Sequence, residues 1–116
     1  MKALFIEKRK SVVCSGTYAD EPKIVEVEQS HKGFRKYFPK GGIISQRSVY
    51  IGANECNLYY LDEEEYKDDR PMVFTKSGRR DLHIYSSLLI TCDTLDDNII
   101  GIRNSWSGIS LLVDPR

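Results

Sequence analysis

LHIYSSLLITC-DTLDD-NIIGIR-NSWSG-ISLLV, residues Leu82–Val113, holds three apolar runs in close succession. The runs are Leu82–Cys92, Asn98–Arg103 and Ile109–Val113, and each is too short to indicate a helix. Turn-forming residues separate them. Because strands joined by short links usually pair with each other, the stretch predicts an antiparallel meander at the core. Six of its apolar side chains are expected to be buried together: Leu88, Ile90, Ile100, Ile102, Leu111 and Val113.

The first thirty residues predict further strands. Residues 3–6 and 11–14 are apolar and flank the charged segment Glu7–Lys10, which predicts an N-terminal hairpin with a polar tip. Polar and apolar residues alternate over Lys23–Gln29, and Val25 and Val27 are expected on one face of a half-exposed strand.

The middle of the chain predicts a short helix followed by strands. Ser30 is a candidate cap for a helix reaching Phe38, although Gly33 weakens that prediction. Strand character resumes at residues 43–44, 48–51, 57–61 and 72–75. For residues 57–61 an alternative to a strand is a second helix that Asn54 caps and that runs into the acidic residues after it. The chain is therefore expected to form a single domain over residues 1–116. Its fold class is mainly β (α+β), an antiparallel sheet, sandwich or partly open barrel with one or two short helices.

Composition narrows the class of protein. The chain has 116 residues, 41% of them hydrophobic and 29% charged, which is typical of a globular domain rather than a disordered one. Its 17 basic and 17 acidic side chains balance, so no overall charge attracts it to nucleic acid or membrane. Three widely spaced cysteines and the absence of a long apolar segment predict a cytoplasmic protein with reduced thiols.

No motif for catalysis or metal binding is present. The cysteines and the two histidines, His31 and His83, lack the spacings that typically build a zinc site, and we expect no metal and no cofactor. An enzyme with an unrecognised site at His31 or His83 is the least favoured interpretation, so we expect a protein that is not an enzyme.

Residues 31–40, HKGFRKYFPK, interleave basic and aromatic side chains. Basic groups contact phosphates and exposed rings stack on bases, so a nucleic-acid interface is one interpretation. Its residues would be Lys32, Arg35, Lys36, Tyr37 and Lys40. The favoured interpretation is an amphipathic helix whose rings enter the core, and we therefore do not expect nucleic-acid binding.

The acidic segment, residues 62–69 (DEEEYKDD), is the strongest irregularity of the sequence. It carries six carboxylates and one lysine, and tyrosines lie within and before it. Concentrated like charge costs folding free energy, so a docking surface for a cationic partner is a reasonable interpretation beside that of a solvated loop. The expected partner-binding residues are Tyr59, Tyr60, Asp62, Glu63, Glu64, Glu65, Tyr66, Asp68 and Asp69.

These carboxylates flanked by tyrosines resemble the patches of bacterial immunity proteins, including those paired with toxins of contact-dependent growth inhibition. The resemblance implies a small cytoplasmic protein whose partner is a toxin domain, most specifically a nuclease. It implies inhibition by occlusion of the toxin's active site, with the acidic segment lying where phosphates would bind. A nucleic-acid-binding β domain that uses residues 31–40 is the alternative function.

Overall fold

Strands from both ends of the chain meet in one sheet. The computed structural model describes residues 1–10, 17–19, 21–39, 41–51, 54–61, 73–75, 83–84, 86–92, 96–104 and 112–115. Within these ranges the strands are β1 Lys2–Ile6, β2 Lys8–Lys10, β3 Thr17–Ala19, β4 Lys23–Glu26, β5 Ile44–Ile51, β6 Asn54–Leu61, β7 Val73–Thr75, β8 His83–Ile84, β9 Leu88–Cys92 and β10 Leu112–Pro115. The helices are α1 His31–Arg35 and α2 Asp96–Asn104.

The main sheet is open and largely antiparallel. Its strand order is β4-β1-β9-β6-β5-β10-β7-β8, while β2 and β3 form a separate pair. The first five strands in this order, β4-β1-β9-β6-β5, pair antiparallel throughout. Strand β10 then pairs antiparallel with β5 and parallel with β7. A mostly β fold with two short helices confirms the predicted fold class.

The hairpin of β5 and β6 is the longest pairing in the sheet. It runs over eight residue pairs, from Ile44 opposite Leu61 to Ile51 opposite Asn54. Asn54 therefore begins a strand, and the alternative that it caps a helix is wrong. Every second residue of each strand enters one apolar cluster, namely Val49 and Ile51 of β5 and Cys56, Leu58 and Tyr60 of β6. This period of two is what a strand requires, and a helix at this position would scatter the same side chains around its circumference.

The two faces of the sheet carry two apolar clusters. The first cluster includes Leu4, Leu58 and Ile90, and α2 covers it with Ile99 and Ile102. The second includes Ala3, Leu89 and Leu61, and the segment around α1 covers it with Phe34, Tyr37 and Phe38. Alternate residues of β1 and β9 enter opposite clusters, as the pleat of a strand requires. A helical segment therefore packs on each face of the sheet.

The predicted C-terminal meander is wrong, because its second run forms a helix and its other runs pair with strands from elsewhere in the chain: β8 with β7, β9 with β1 and β6, and β10 with β5 and β7. Residues 98–103 lie in α2 rather than in a strand. A strand would have placed Ile100 and Ile102 on one face, whereas the helix buries Ile99 and Ile102, which are three residues apart. A run of six residues is too short for its period to be read, and contact with the sheet decides it.

The predicted buried set is correct in part. Leu88, Ile90 and Ile102 are buried in the first cluster, and Ile100 is half-buried. Leu111 lies outside the described residues, and Val113 is described only as a member of β10.

The predicted N-terminal hairpin is also wrong. Both edges of β1 are paired, one with β4 and the other with β9. The segment expected to be a polar tip contains β2, which pairs with β3. Residues 11–14 lie outside the described part of the chain. Loop-closure entropy favours pairing between strands that are neighbours in sequence. The position between β4 and β9 instead buries apolar side chains of β1 on both faces of the sheet, and the free energy of that burial outweighs the entropy.

Helix α1 begins where it was predicted but ends at Arg35, before the predicted end at Phe38. The Ser30 hydroxyl oxygen accepts a hydrogen bond from the Gly33 backbone N–H at 3.1 Å, which is the contact expected of an N-cap. Gly33 is buried, and a Cβ built on it would overlap the Glu28 carbonyl oxygen and lie 2.8 Å from the Glu28 Cβ. The glycine that weakened the sequence prediction is therefore required by the close approach of Glu28.

Candidate partner-binding surface

The predicted partner-binding residues divide into a described and an undescribed group. Tyr59 and Tyr60 lie in β6, the strand that precedes the acidic segment. The remaining members lie outside the described residues: Asp62, Glu63, Glu64, Glu65, Tyr66, Asp68 and Asp69.

The two described tyrosines point to opposite faces of the sheet. Tyr60 is 6% exposed and belongs to the cluster beneath α2, so its side chain is a core residue rather than an accessible anchor. Tyr59 is half-buried, and its ring stacks on Phe34 with centroids 4.4 Å apart and planes at 25°. Tyr59 is thus the member of the pair with surface available to a partner, and α1 holds its ring in place.

The point where the chain enters the acidic segment is fixed by hydrogen bonds. Leu61 ends β6 opposite Ile44, and its backbone N–H donates to the Ser86 hydroxyl at 2.9 Å. That hydroxyl in turn donates to the Ser87 carbonyl at 2.9 Å. Leu61 and Ser86 are both buried, so the Ser86 hydroxyl takes the place of water as the hydrogen-bond acceptor for the Leu61 N–H. The residue before Asp62 therefore has a defined position at the end of a central strand.

An exposed apolar side chain lies at the same end of the hairpin. Ile43 directly precedes Ile44 and is 83% exposed. The backbone before it turns through Gly41 and Gly42, whose φ angles of +83° and +90° favour glycine. The Arg35 guanidinium donates to the Gly42 carbonyl at 2.5 Å, which ties this turn to the end of α1. The backbone around Ile43 is therefore held by the Arg35 hydrogen bond to Gly42 on one side and by the pairing of Ile44 with Leu61 on the other.

The aromatic rings of residues 31–40 pack against the sheet. Phe38 is buried, and Tyr37 packs against Phe5 with ring centroids 4.9 Å apart. The Tyr37 hydroxyl also donates to the Glu26 carbonyl at 3.2 Å. Stacking on bases needs exposed ring faces, so the packing of these rings favours the interpretation as an amphipathic helix.

The cations of that segment are only partly available. Lys32 and Lys36 are exposed, whereas Arg35 is half-buried and also approaches the Phe38 carbonyl at 3.5 Å. Lys40 lies outside the described residues. Two exposed lysines, one in α1 and one at its C-terminal cap, are an ordinary solvated surface.

The two histidines occupy different settings. His31 is the exposed first residue of α1, and His83 lies in β8 opposite Phe74. Among the residues that the structure describes, no three His, Cys, Asp or Glu side chains form a group able to hold a metal ion. In the same residues, neither helix has the length and apolar character needed to span a bilayer.

A polar band, not predicted from the sequence, crosses three strands of the sheet. Ser48, Asn57 and Thr91 lie side by side on three adjacent strands. The Asn57 side-chain oxygen accepts from the Ser48 hydroxyl at 3.1 Å and from the Gln46 amide at 3.2 Å. These groups are neutral, and the buried amide between paired strands fixes their register. The signal in sequence was the polar run Ser45–Ser48 within an otherwise apolar strand.

Comparison with known proteins returned no relative. No family model matches the chain, and neither the curated proteins nor the solved structures gave a match.

Proposed function

We propose that the chain is a binding protein that occludes a cationic protein partner. In its most specific form, the chain is a cytoplasmic immunity protein that neutralises a bacterial nuclease toxin, as its resemblance to such proteins implies. The observation that carries the proposal is the acidic segment, whose local charge is about −5 in a chain whose formal net charge is zero. Clustered carboxylates attract a cationic groove and speed encounter with it.

The anchoring of β6 fixes the position from which the chain enters the proposed binding surface. A binding segment that must be ordered on association loses affinity to the entropy of ordering. Here the residue before the acidic segment is held by the pairing with Ile44 and by the Ser86 hydroxyl. The chain therefore enters the acidic segment from a fixed point at Leu61.

Ile43 supplies an apolar contact at the end of the hairpin that precedes the acidic segment. Hot spots in interfaces are buried apolar or aromatic side chains surrounded by polar groups that exclude water. Ile43 is displayed at the end of the hairpin where the chain departs for the acidic segment, and part of the Tyr59 side chain is also accessible. In the proposed complex, Ile43 and Tyr59 are covered by the toxin, while the carboxylates occupy the groove where phosphates would lie.

The test is a charge reversal with a matched control. The variant E63K/E64K/E65K reverses three carboxylates of the acidic segment. The control E21K/E26K/E28K makes the same change in net charge at three exposed glutamates before α1. Both variants are co-expressed with the product of the adjacent gene, and growth, association rate and dissociation rate are measured.

The parent and the control are expected to bind that product and restore growth. The E63K/E64K/E65K variant is expected to associate about tenfold more slowly or worse at low salt, and its residual binding should depend less on salt. The change I43S should mainly speed dissociation. Growth rescue and affinity unchanged by the triple reversal would overturn the proposal, as would an adjacent product without toxicity.

A further inference from the structure

Two cysteines lie directly opposite each other on two adjacent inner strands of the sheet. Cys56 in β6 and Cys92 in β9 are register partners on adjacent antiparallel strands, and 36 positions separate them in sequence. Their sulfur atoms are 3.0 Å apart, and no disulfide joins them. We propose that Cys56 and Cys92 form a dithiol site that small-molecule disulfides, such as oxidised glutathione, convert reversibly to a cross-strand disulfide.

The backbone geometry suits a disulfide without rearrangement. Directly opposed residues in an antiparallel pair have Cα atoms about 4.5–5.5 Å apart and side chains on the same face. Disulfides span Cα separations of about 4.4–6.8 Å. The sulfur atoms must approach by about 1 Å to reach the length of the bond, which is about 2.05 Å. Rotation of the two side chains supplies that movement, so the ladder of β6 and β9 stays intact.

Access to the two sulfurs is unequal, and this fixes the order of reaction. Cys56 has no exposed surface, and its sulfur approaches the Asn54 carbonyl at 3.6 Å. Cys92 is half-buried at the end of β9 and packs against the rim of the same apolar cluster. A disulfide in solution therefore reaches Cys92 first, and Cys56 acts as the resolving thiol.

The exchange balances in two steps. The Cys92 thiolate attacks one sulfur of the small disulfide, whose S–S bond breaks, and the first small thiolate leaves and takes up the proton lost by Cys92. The Cys56 sulfur then attacks the Cys92 sulfur, and the second small thiolate leaves and takes up the proton from Cys56. The protein has lost two electrons and two protons, and the small disulfide has become two thiols.

The bridge would change the chain in a defined way. It links two central strands and closes the segment 57–91, which contains the acidic segment. Closing a segment of that length removes conformations from the unfolded chain, so the oxidised protein is expected to unfold at a higher urea concentration. The dithiol proposal does not depend on the proposed partner, since it rests on the sulfur geometry alone.

The experiment titrates the native protein with glutathione. The parent chain is equilibrated in buffers stepped from reduced to oxidised glutathione, then denatured and alkylated so that remaining thiols are counted by mass spectrometry. The parent is expected to fall from three reactive thiols to one, with a peptide that links Cys56 to Cys92. The variant C14S should fall from two to none through the same link.

Two further variants test the order of attack. In C56S, the Cys92 sulfur has no resolving partner, so glutathione should remain attached there as a mixed disulfide. In C92S, the buried Cys56 should stay unmodified while the protein is folded, as judged by circular dichroism. Retention of three thiols by the parent in oxidised glutathione would overturn the proposal. A link that involves Cys14, or glutathione on Cys56 in folded C92S, would do the same.

Discussion

Alanine at Gly33 and at Gly101 should change stability in opposite directions. Both glycines lie in helices, where alanine is intrinsically favoured by about 0.5–1 kcal/mol. At Gly101, which is exposed, a Cβ would meet no atom within 4 Å. We therefore expect G101A to stabilise the chain by up to about 1 kcal/mol, also because alanine restricts the unfolded state.

At Gly33 the added methyl group has no room. It would overlap the Glu28 carbonyl oxygen and lie 2.9 Å from the Glu28 carbonyl carbon, and backbone atoms cannot rotate away. The segment before α1 would have to shift, although Val27 beside it is buried and its N–H donates to the Met1 carbonyl at 2.8 Å. Overpacking of this kind typically costs about 1–3 kcal/mol, which exceeds the gain in helix propensity.

Urea denaturation of both variants checks the prediction. With an unchanged m-value, the G33A midpoint should fall and the G101A midpoint should rise relative to the parent. A G33A protein as stable as the parent would show that α1 does not lie against Glu28. A fall in the midpoint for G101A would contradict the helix at residues 96–104.

Two other predictions concern the core and the basic segment. Ile90→Ala removes a side chain with no exposed surface and should cost about 2–5 kcal/mol, whereas Ile43→Ala at an exposed position should stay within about 0.5 kcal/mol of the parent in urea denaturation. Nucleic-acid binding, measured by fluorescence anisotropy with single-stranded RNA and duplex DNA, should be weak because the rings of residues 31–40 are packed. Tight, salt-sensitive binding that Lys36→Glu abolishes would instead support the nucleic-acid alternative.

Local sequence determined those elements whose signals act within a few residues. Ser30 capped α1 as predicted because its hydroxyl needs only the N–H of Gly33. The inward position of Val25 and Val27 beside exposed glutamates was predicted correctly, although β4 ends at Glu26 and the strand predicted over Lys23–Gln29 is shorter. The role of Phe38 as a core residue likewise followed from the apolar spacing after Ser30.

For the candidate binding surface, the sequence predicted which residue types are clustered but not which side chains are accessible. The sequence identified the acidic segment, which lies outside the described residues, and offered Tyr59 and Tyr60 as equivalent anchors. Strand pairing separates those two, because adjacent residues of a strand point to opposite faces and only Tyr60 enters the buried cluster that contains Ile99 and Ile102. The exposure of Ile43 could not be read from sequence, since Ile43 and Ile44 are identical side chains in adjacent positions.

Contacts between distant parts of the chain were decided by tertiary structure. Whether residues 98–103 formed a strand or a helix depended on the surface they cover, and the sheet face selected a helix that buries Ile99 with Ile102. The position of β9 between β1 and β6 places its two faces in the two apolar clusters, and no local signal encodes that position. The same pairing brings Cys56 and Cys92 together, because strand register converts a separation of 36 residues into contact between two sulfur atoms.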